Sequence, residues 1–138
     1  VSALVIDASI AVGWCFEDEA TPSGDLILDQ VSRHGGHVPT QWHLEVANVL
    51  WQAERRGRIA QNMTTAKLAL LGQLPIRTDA ETAARAWAAT LALARALKLT
   101  AYDAAYVELA QRLSLPLASK DRELLAAAAS TGLPVITA

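Results

Sequence analysis

Short apolar runs alternating with amphipathic stretches predict an α/β fold: three layers, with helices on both faces of a mainly parallel sheet. Three observations carry this reading. Ala3-Leu4-Val5-Ile6 is an unbroken apolar run, the pattern of a strand buried on both faces. Trp42 to Arg56 repeats its apolar residues at helical spacing. Leu115-Pro116-Leu117-Ala118 is a second short apolar run, with a helix-starting acid close behind it.

Taken in order, Asp7 and Ser9 follow the first strand as residues able to begin a helix. Pro22 opens a helical segment to about Arg33, with Leu26, Ile27 and Val31 at helical spacing, and Gly35-Gly36 stops it. His37-Val38-Pro39 reads as a second strand closed by proline. In the Trp42–Arg56 helix, Trp42, Val46, Val49, Leu50 and Ala53 form one stripe and Gly57 ends it. Further helices are expected over 61–74, stopped by Pro75, and over 80–97, with Asp79 as cap and Ala84, Trp87, Leu91 and Ala94 inward. Tyr102 to Leu113 is helical with Thr100 as its cap, Asp121 to Ser130 gives another helix, and Val135-Ile136 a last strand. No repeat or linker interrupts 1–138, which is read as a single domain.

Composition narrows the classes. Hydrophobic residues make up 52% of the 138 residues, excluding a disordered chain. No apolar run approaches the roughly 20 residues of a membrane span, and Val1 to Ile10 lacks the basic segment of a secretory signal. A single cysteine, Cys15, excludes an internal disulfide and suits a reducing cytoplasm. The net charge of -2 denies a broad basic surplus, so any grip on nucleic acid needs a local basic patch or metal ions.

Four of the fourteen acids stand where water would not easily keep them. In open α/β sheets ligands bind beyond the carboxyl ends of the strands. Asp7 directly follows the first strand, and Asp121 comes three residues after Ala118. Glu45 lies early in the helix after the second strand, about 60° round from Trp42 at about 100° per residue. Asp103 falls between Val107 and Ala110 on the apolar side of its helix, opposite Glu108, Gln111 and Arg112. Three have an ordinary alternative: Asp7 as an N-cap, Asp103 and Asp121 as acids complementing a helix dipole. Glu45 fits neither a cap nor a fully exposed face. With no evident basic partner, a divalent cation is the economical way to keep such carboxylates charged.

Other residues offer less. His34, His37 and His43 lack the close helical spacing of a zinc pair and are expected on the surface or in loops. Cys15 reads as a buried structural thiol. Trp42, Trp51 and Trp87 are expected in the core. Arg55, Arg56 and Arg58, with Lys120 and Arg122, are the candidate phosphate contacts, their alternative being a solvated surface.

Four segments together resemble the PIN-domain family and, within it, the VapC toxins: Leu4-Val5-Ile6-Asp7-Ala8-Ser9, Glu45-Val46-Ala47-Asn48-Val49-Leu50, Leu99-Thr100-Ala101-Tyr102-Asp103-Ala104-Ala105-Tyr106, and Leu117-Ala118-Ser119-Lys120-Asp121-Arg122-Glu123-Leu124. The resemblance spans the whole chain. It implies a PIN-like three-layer fold, endonucleolytic cleavage of RNA with Mg²⁺ or Mn²⁺, and Asp7, Glu45, Asp103 and Asp121 as catalytic acids and metal ligands. It also implies a VapB-like antitoxin, and a homodimer for which Leu68, Leu70 and Leu71 offer surface. Ser9 matches a small hydroxyl residue after the first acid; Ser119 stands where the family often has threonine. Ser9 and Ser119 would orient acids or waters, and Asn48 would support Glu45.

Rival classes fit less well. A haloacid dehalogenase-like phosphatase needs a second acid two residues after the first, where this chain has Ser9. Receiver domains pair two acids after the first strand, and only Asp7 is here. A non-catalytic PIN-like module binding RNA or protein stays open.

Overall fold

The computed structural model describes residues 2–138. Five strands, β1 (Leu4–Ile6), β2 (Gly36–Val38), β3 (Ile76–Thr78), β4 (Leu117–Ser119) and β5 (Val135–Thr137), form one all-parallel sheet ordered β3-β2-β1-β4-β5. Parallel neighbours need crossovers, and helices supply them. α1 (Ala8–Cys15) and α2 (Pro22–His34) join β1 to β2, and α3 (Trp42–Arg55) and α4 (Gln61–Leu71) join β2 to β3. From β3 the chain runs through α5 (Thr82–Arg85), a π-helical stretch Ala86–Thr90, α6 (Leu91–Leu97) and α7 (Ala101–Leu113) back to β4; α8 (Arg122–Ser130) leads to β5. The expected three-layer α/β/α architecture is what forms.

The order of the strands matters for function. From β1 the chain builds outward to β3, then returns to place β4 on the other side of β1. This reversal opens a crevice at the carboxyl ends of β1 and β4. Both strands are wholly buried, so residues just beyond them sit on a rigid floor.

Local chemistry sets the helix starts. Thr21 accepts the Gly24 N–H with Pro22 in the first turn of α2, and Thr100 accepts the Asp103 N–H to begin α7. Gly35, at φ 94°, ends α2 in a conformation that disfavours a side chain.

Several expectations shift. β3 has no apolar run to mark it: Ile76 is half-buried, and Arg77 and Thr78 are exposed on an edge strand. α4 stops at Leu71, with Gly72 capping it, rather than reaching Leu74. The helix expected over 80–97 is broken by the π-helical stretch, whose wider turn rotates the face that α6 presents. Thr90 and Ala94 face inward as a result, whereas Ala84 is exposed, Leu91 is half-buried, and Trp87 stands 93% exposed instead of in the core. Trp51 is likewise exposed on the outer side of α3; Trp42 alone of the three is buried. Leu26 and Val49 also face solvent, at the margins of their stripes, while Ile27, Val31, Val46 and Leu50 are core.

Glu108 departs most from the periodicity, which places it on the polar side of α7. It is 5% exposed. Arg112 covers it, donating from Nε at 2.8 Å, and reaches Asp79 in a two-pronged pair at 2.7 and 3.1 Å. Asp79 therefore anchors the loop after β3 to α7 and also accepts the Thr82 hydroxyl, rather than capping the helix; Glu81 occupies the cap position of α5.

Candidate active site

Asp7 leaves β1 at the crevice and is 7% exposed. Two hydroxyls hold it. Ser9 donates to Oδ1 at 2.6 Å and Ser119, at the end of β4, donates to Oδ2 at 2.5 Å. The Ile10 N–H lies 3.4 Å from Oδ1, so Asp7 is the N-cap of α1 as well as a candidate site residue. Each hydroxyl oxygen in turn accepts a backbone N–H: Ser9 from Lys120 at 3.0 Å, Ser119 from Asp121 at 2.9 Å. A hydroxyl has one proton, and both are directed at Asp7. The 3.5 Å approach of the two oxygens therefore carries no hydrogen bond. The result is a closed lattice that locks α1, β4 and the start of α8 around one carboxylate.

Glu45 stands in the first turn of α3, half-buried, with its Oε1 accepting the Tyr106 hydroxyl at 2.6 Å. Tyr106, in α7, is fully buried; a buried phenol needs an acceptor, and Glu45 is it. Sequence reasoning missed this residue. The signal was present: Tyr106 is three residues after Asp103, and so on nearly the same helix face. Asn48, expected to support Glu45, is exposed and makes no hydrogen bond to it.

Asp103 lies half-buried in the first turn of α7, and its carboxylate accepts no hydrogen bond among the described residues. Asp121 is the N-cap of α8: its Oδ1 accepts the N–H groups of Glu123 and Leu124, and it is exposed.

The electrostatics bind the four together. Burial pushes the Asp7 carboxyl above the ordinary carboxylate range, against the lowering effect of Ser119, Ser9 and the Ile10 N–H, and the charge of Asp121 adds to the rise. Glu45 is raised first by burial, lowered by the Tyr106 bond, and raised again by Asp103 and Asp7. Asp103 is raised by burial, then by Asp121 and Asp7. Tyr106 is pushed far up by burial and by its bond to Glu45, so its hydroxyl remains a donor. The acids thus repel one another across one crevice, and among the described residues none is in an ion pair. No three His, Cys, Asp or Glu side chains among the described residues close around a common point as a metal cluster would. The donor chemistry nonetheless fits a hard divalent ion: carboxylate oxygens only, each more costly to ionise alone.

The candidate phosphate contacts divide. Arg58 is committed elsewhere, bonded to Asp18 and Glu19 and lying 3.8 Å over the Phe16 ring. Lys120 is also engaged, its Nζ 3.2 Å from the Glu19 carbonyl oxygen and 3.6 Å from its carboxylate. Arg55 rests beside Trp51. Arg56 and Arg122 are exposed and make no ion pair among the described residues. His34 and His43 are exposed, His37 is half-buried within β2, and Cys15 is a buried free thiol.

Comparison with known proteins agrees with this fold. The PIN domain family model matches residues 4–130. Ribonuclease VapC3 of Pyrobaculum aerophilum is 32% identical over 125 residues, spanning 88% of this chain and 91% of that protein. Two solved structures share the fold. PAE2754 from Pyrobaculum aerophilum superposes with a TM-score of 0.67 at 23% identity, covering 91% of this chain and 84% of that one. FitAcB from Neisseria gonorrhoeae superposes at 0.65 and 15% identity, covering 97% and 96%.

Proposed function

Because the chain belongs to the PIN domain family, we propose that it is a metal-dependent endoribonuclease of the VapC type, the toxin of a toxin–antitoxin pair. The observation that carries this reading is the crevice at β1 and β4, where Asp7, Glu45, Asp103 and Asp121 share one repulsive field with no cation of the chain among them.

Asp7, Glu45 and Asp103 would hold Mg²⁺ or Mn²⁺, with Asp121 as an outer or second-ion ligand. The ion would supply Lewis-acid activation of a water and neutralise charge on the phosphodiester. The chain's own part is orientation. Ser9 and Ser119 fix both oxygens of Asp7, and Tyr106 fixes Glu45. Asp103 keeps both oxygens free of protein donors, which leaves them available to the ion. Arg56 and Arg122 are free to meet phosphate. A VapB-like antitoxin would block the crevice, a homodimer would form through α4, where Leu68 and Leu70 are exposed but Leu71 is buried in the core, and the cytoplasm is the setting.

The test measures cleavage of short RNA with Mg²⁺ or Mn²⁺, with EDTA, and with Asp7→Asn. Cleavage only by the wild type with added ion is expected; equal activity in all conditions would remove the scheme. A non-catalytic module would bind RNA unchanged by the ion, which calorimetric titration of the protein with MnCl₂ distinguishes.

A further inference from the structure

Lys120 and Asp121 lie between β4 and α8, in neither strand nor helix, yet their N–H groups complete the lattice around Asp7. The Lys120 N–H donates to Ser9 Oγ at 3.0 Å and the Asp121 N–H to Ser119 Oγ at 2.9 Å, which leaves each serine proton for Asp7. The Lys120 side chain ties this turn to α1. It lies over Gly13, where a Cβ would stand 2.6 Å from Nζ and 2.8 Å from Cε, closer than non-bonded atoms pack. Its ammonium donates to the Glu19 carbonyl oxygen at 3.2 Å, with the Glu19 carboxylate at 3.6 Å, and the side chain is only 25% exposed.

Glycine inside a helix weakens it relative to alanine and asks for a reason. Gly13 is buried in α1 with no left-handed backbone to require it, so the reason is the passage of Lys120. It stands five residues past Ala8, about 7.5 Å along the helix from the crevice end, so the ammonium is drawn away from where a scissile phosphate would meet the acids. We infer that Lys120 is a positioning residue: its side chain, tied across Gly13 to Glu19, holds two backbone donors against Ser9 and Ser119 and so keeps both serine protons on Asp7. This rests on the nuclease reading above. A methyl group on Gly13 would push the ammonium off Glu19 at little cost to the fold, because the end of a flexible side chain can move into the cleft beside it.

The experiment compares the full chain with Gly13→Ala, Lys120→Ala and the double variant, in cleavage of short RNA with MnCl₂ and in melting temperature. Gly13→Ala alters no charge and favours the helix, so its melting temperature is expected to hold or rise. Its kcat is expected to fall about tenfold, as when a supporting partner of a ligand is lost, with KM and its salt dependence unchanged. Lys120→Ala should lower kcat to a similar extent, and the double variant no further, because no ammonium is left to displace. Unchanged kcat in Gly13→Ala, a melting temperature that falls with it, or additive losses in the double variant overturns the inference. So does a raised KM with shallower salt dependence in Lys120→Ala, the mark of a phosphate contact. Amide hydrogen exchange of the ion-free protein needs no activity: the Lys120 and Asp121 N–H groups should exchange about tenfold faster in Gly13→Ala, and equal rates overturn the inference. Wild type that cleaves no RNA removes the nuclease reading and this inference with it; wild type that cleaves while the variants match it removes the inference alone.

Discussion

Ser119, the last residue of β4, gives its hydroxyl proton to Oδ2 of Asp7, the first residue after β1. Two strands that meet only because the sheet reverses direction are thus joined at their tips by one fully buried contact.

Ser119→Ala removes that donor and also the acceptor of the Asp121 N–H. Loss of two buried bonds costs about 1–3 kcal/mol of stability, read from urea unfolding. Cleavage should fall by roughly 10- to 100-fold, as when a supporting partner of a ligand is lost, at saturating RNA.

Asp7→Asn should separate function from stability. The side chain is buried and its charge is disfavoured chiefly by that burial, so the neutral amide suits the ion-free fold better at neutral pH. The expected outcome is a higher melting temperature without metal, together with at least about a 100-fold loss of cleavage. A melting temperature that drops would contradict the burial argument.

The same carboxylates give a pH dependence with a definite sign. Asp7, Glu45 and Asp103 all bind protons more tightly folded than unfolded. Their contribution to stability is fully present below the unfolded values near 4 and is lost as pH rises through the higher folded ones. Ion-free protein should therefore melt at a lower temperature at about pH 7.5 than at about pH 5, and added Mn²⁺ should reverse the loss. Asp79 opposes this only in stronger acid, because its pairing with Arg112 holds it below the ordinary range. Melting curves with EDTA and with Mn²⁺ across that range check the sign.

Arg112→Met would leave Glu108 and Asp79 buried without a counter-ion. The expected cost is about 3–5 kcal/mol, measured by urea unfolding. Arg112→Lys should recover little, since a single ammonium cannot replace a fork that engages two carboxylates at once.

Legibility in the sequence tracks what local chemistry controls. β1 is readable from its apolar run, α3 from its apolar period, and α7 and α8 from a period coupled to a cap; Glu45 and Asp103 stand out because they interrupt helical periods, Asp7 and Asp121 because they follow strand ends. β3 is not, since Ile76-Arg77-Thr78 is an edge strand recruited by pairing with β2 and has no buried face of its own to advertise. Trp87 misleads because a π-helical turn is a backbone irregularity that a fixed 100° advance does not register. Glu108 misleads because Arg112, which covers it, is itself held by Asp79 across the fold, and burial that depends on so distant a pair leaves no periodic trace. Tyr106 is hidden for the opposite reason: among apolar neighbours it passes as ordinary core.

Glu19 has a consequence for how a substrate strand would be gripped. By engaging both Arg58 and Lys120, it withdraws two of the five basic side chains that could otherwise displace counter-ions from a polyanion. Single strands release counter-ions at roughly 0.7 per phosphate neutralised, so a strand held mainly by Arg56 and Arg122 would show a shallow dependence of affinity on salt. Glu19→Gln, which releases the Lys120 ammonium from its carboxylate while Arg58 keeps its pair with Asp18, should steepen it.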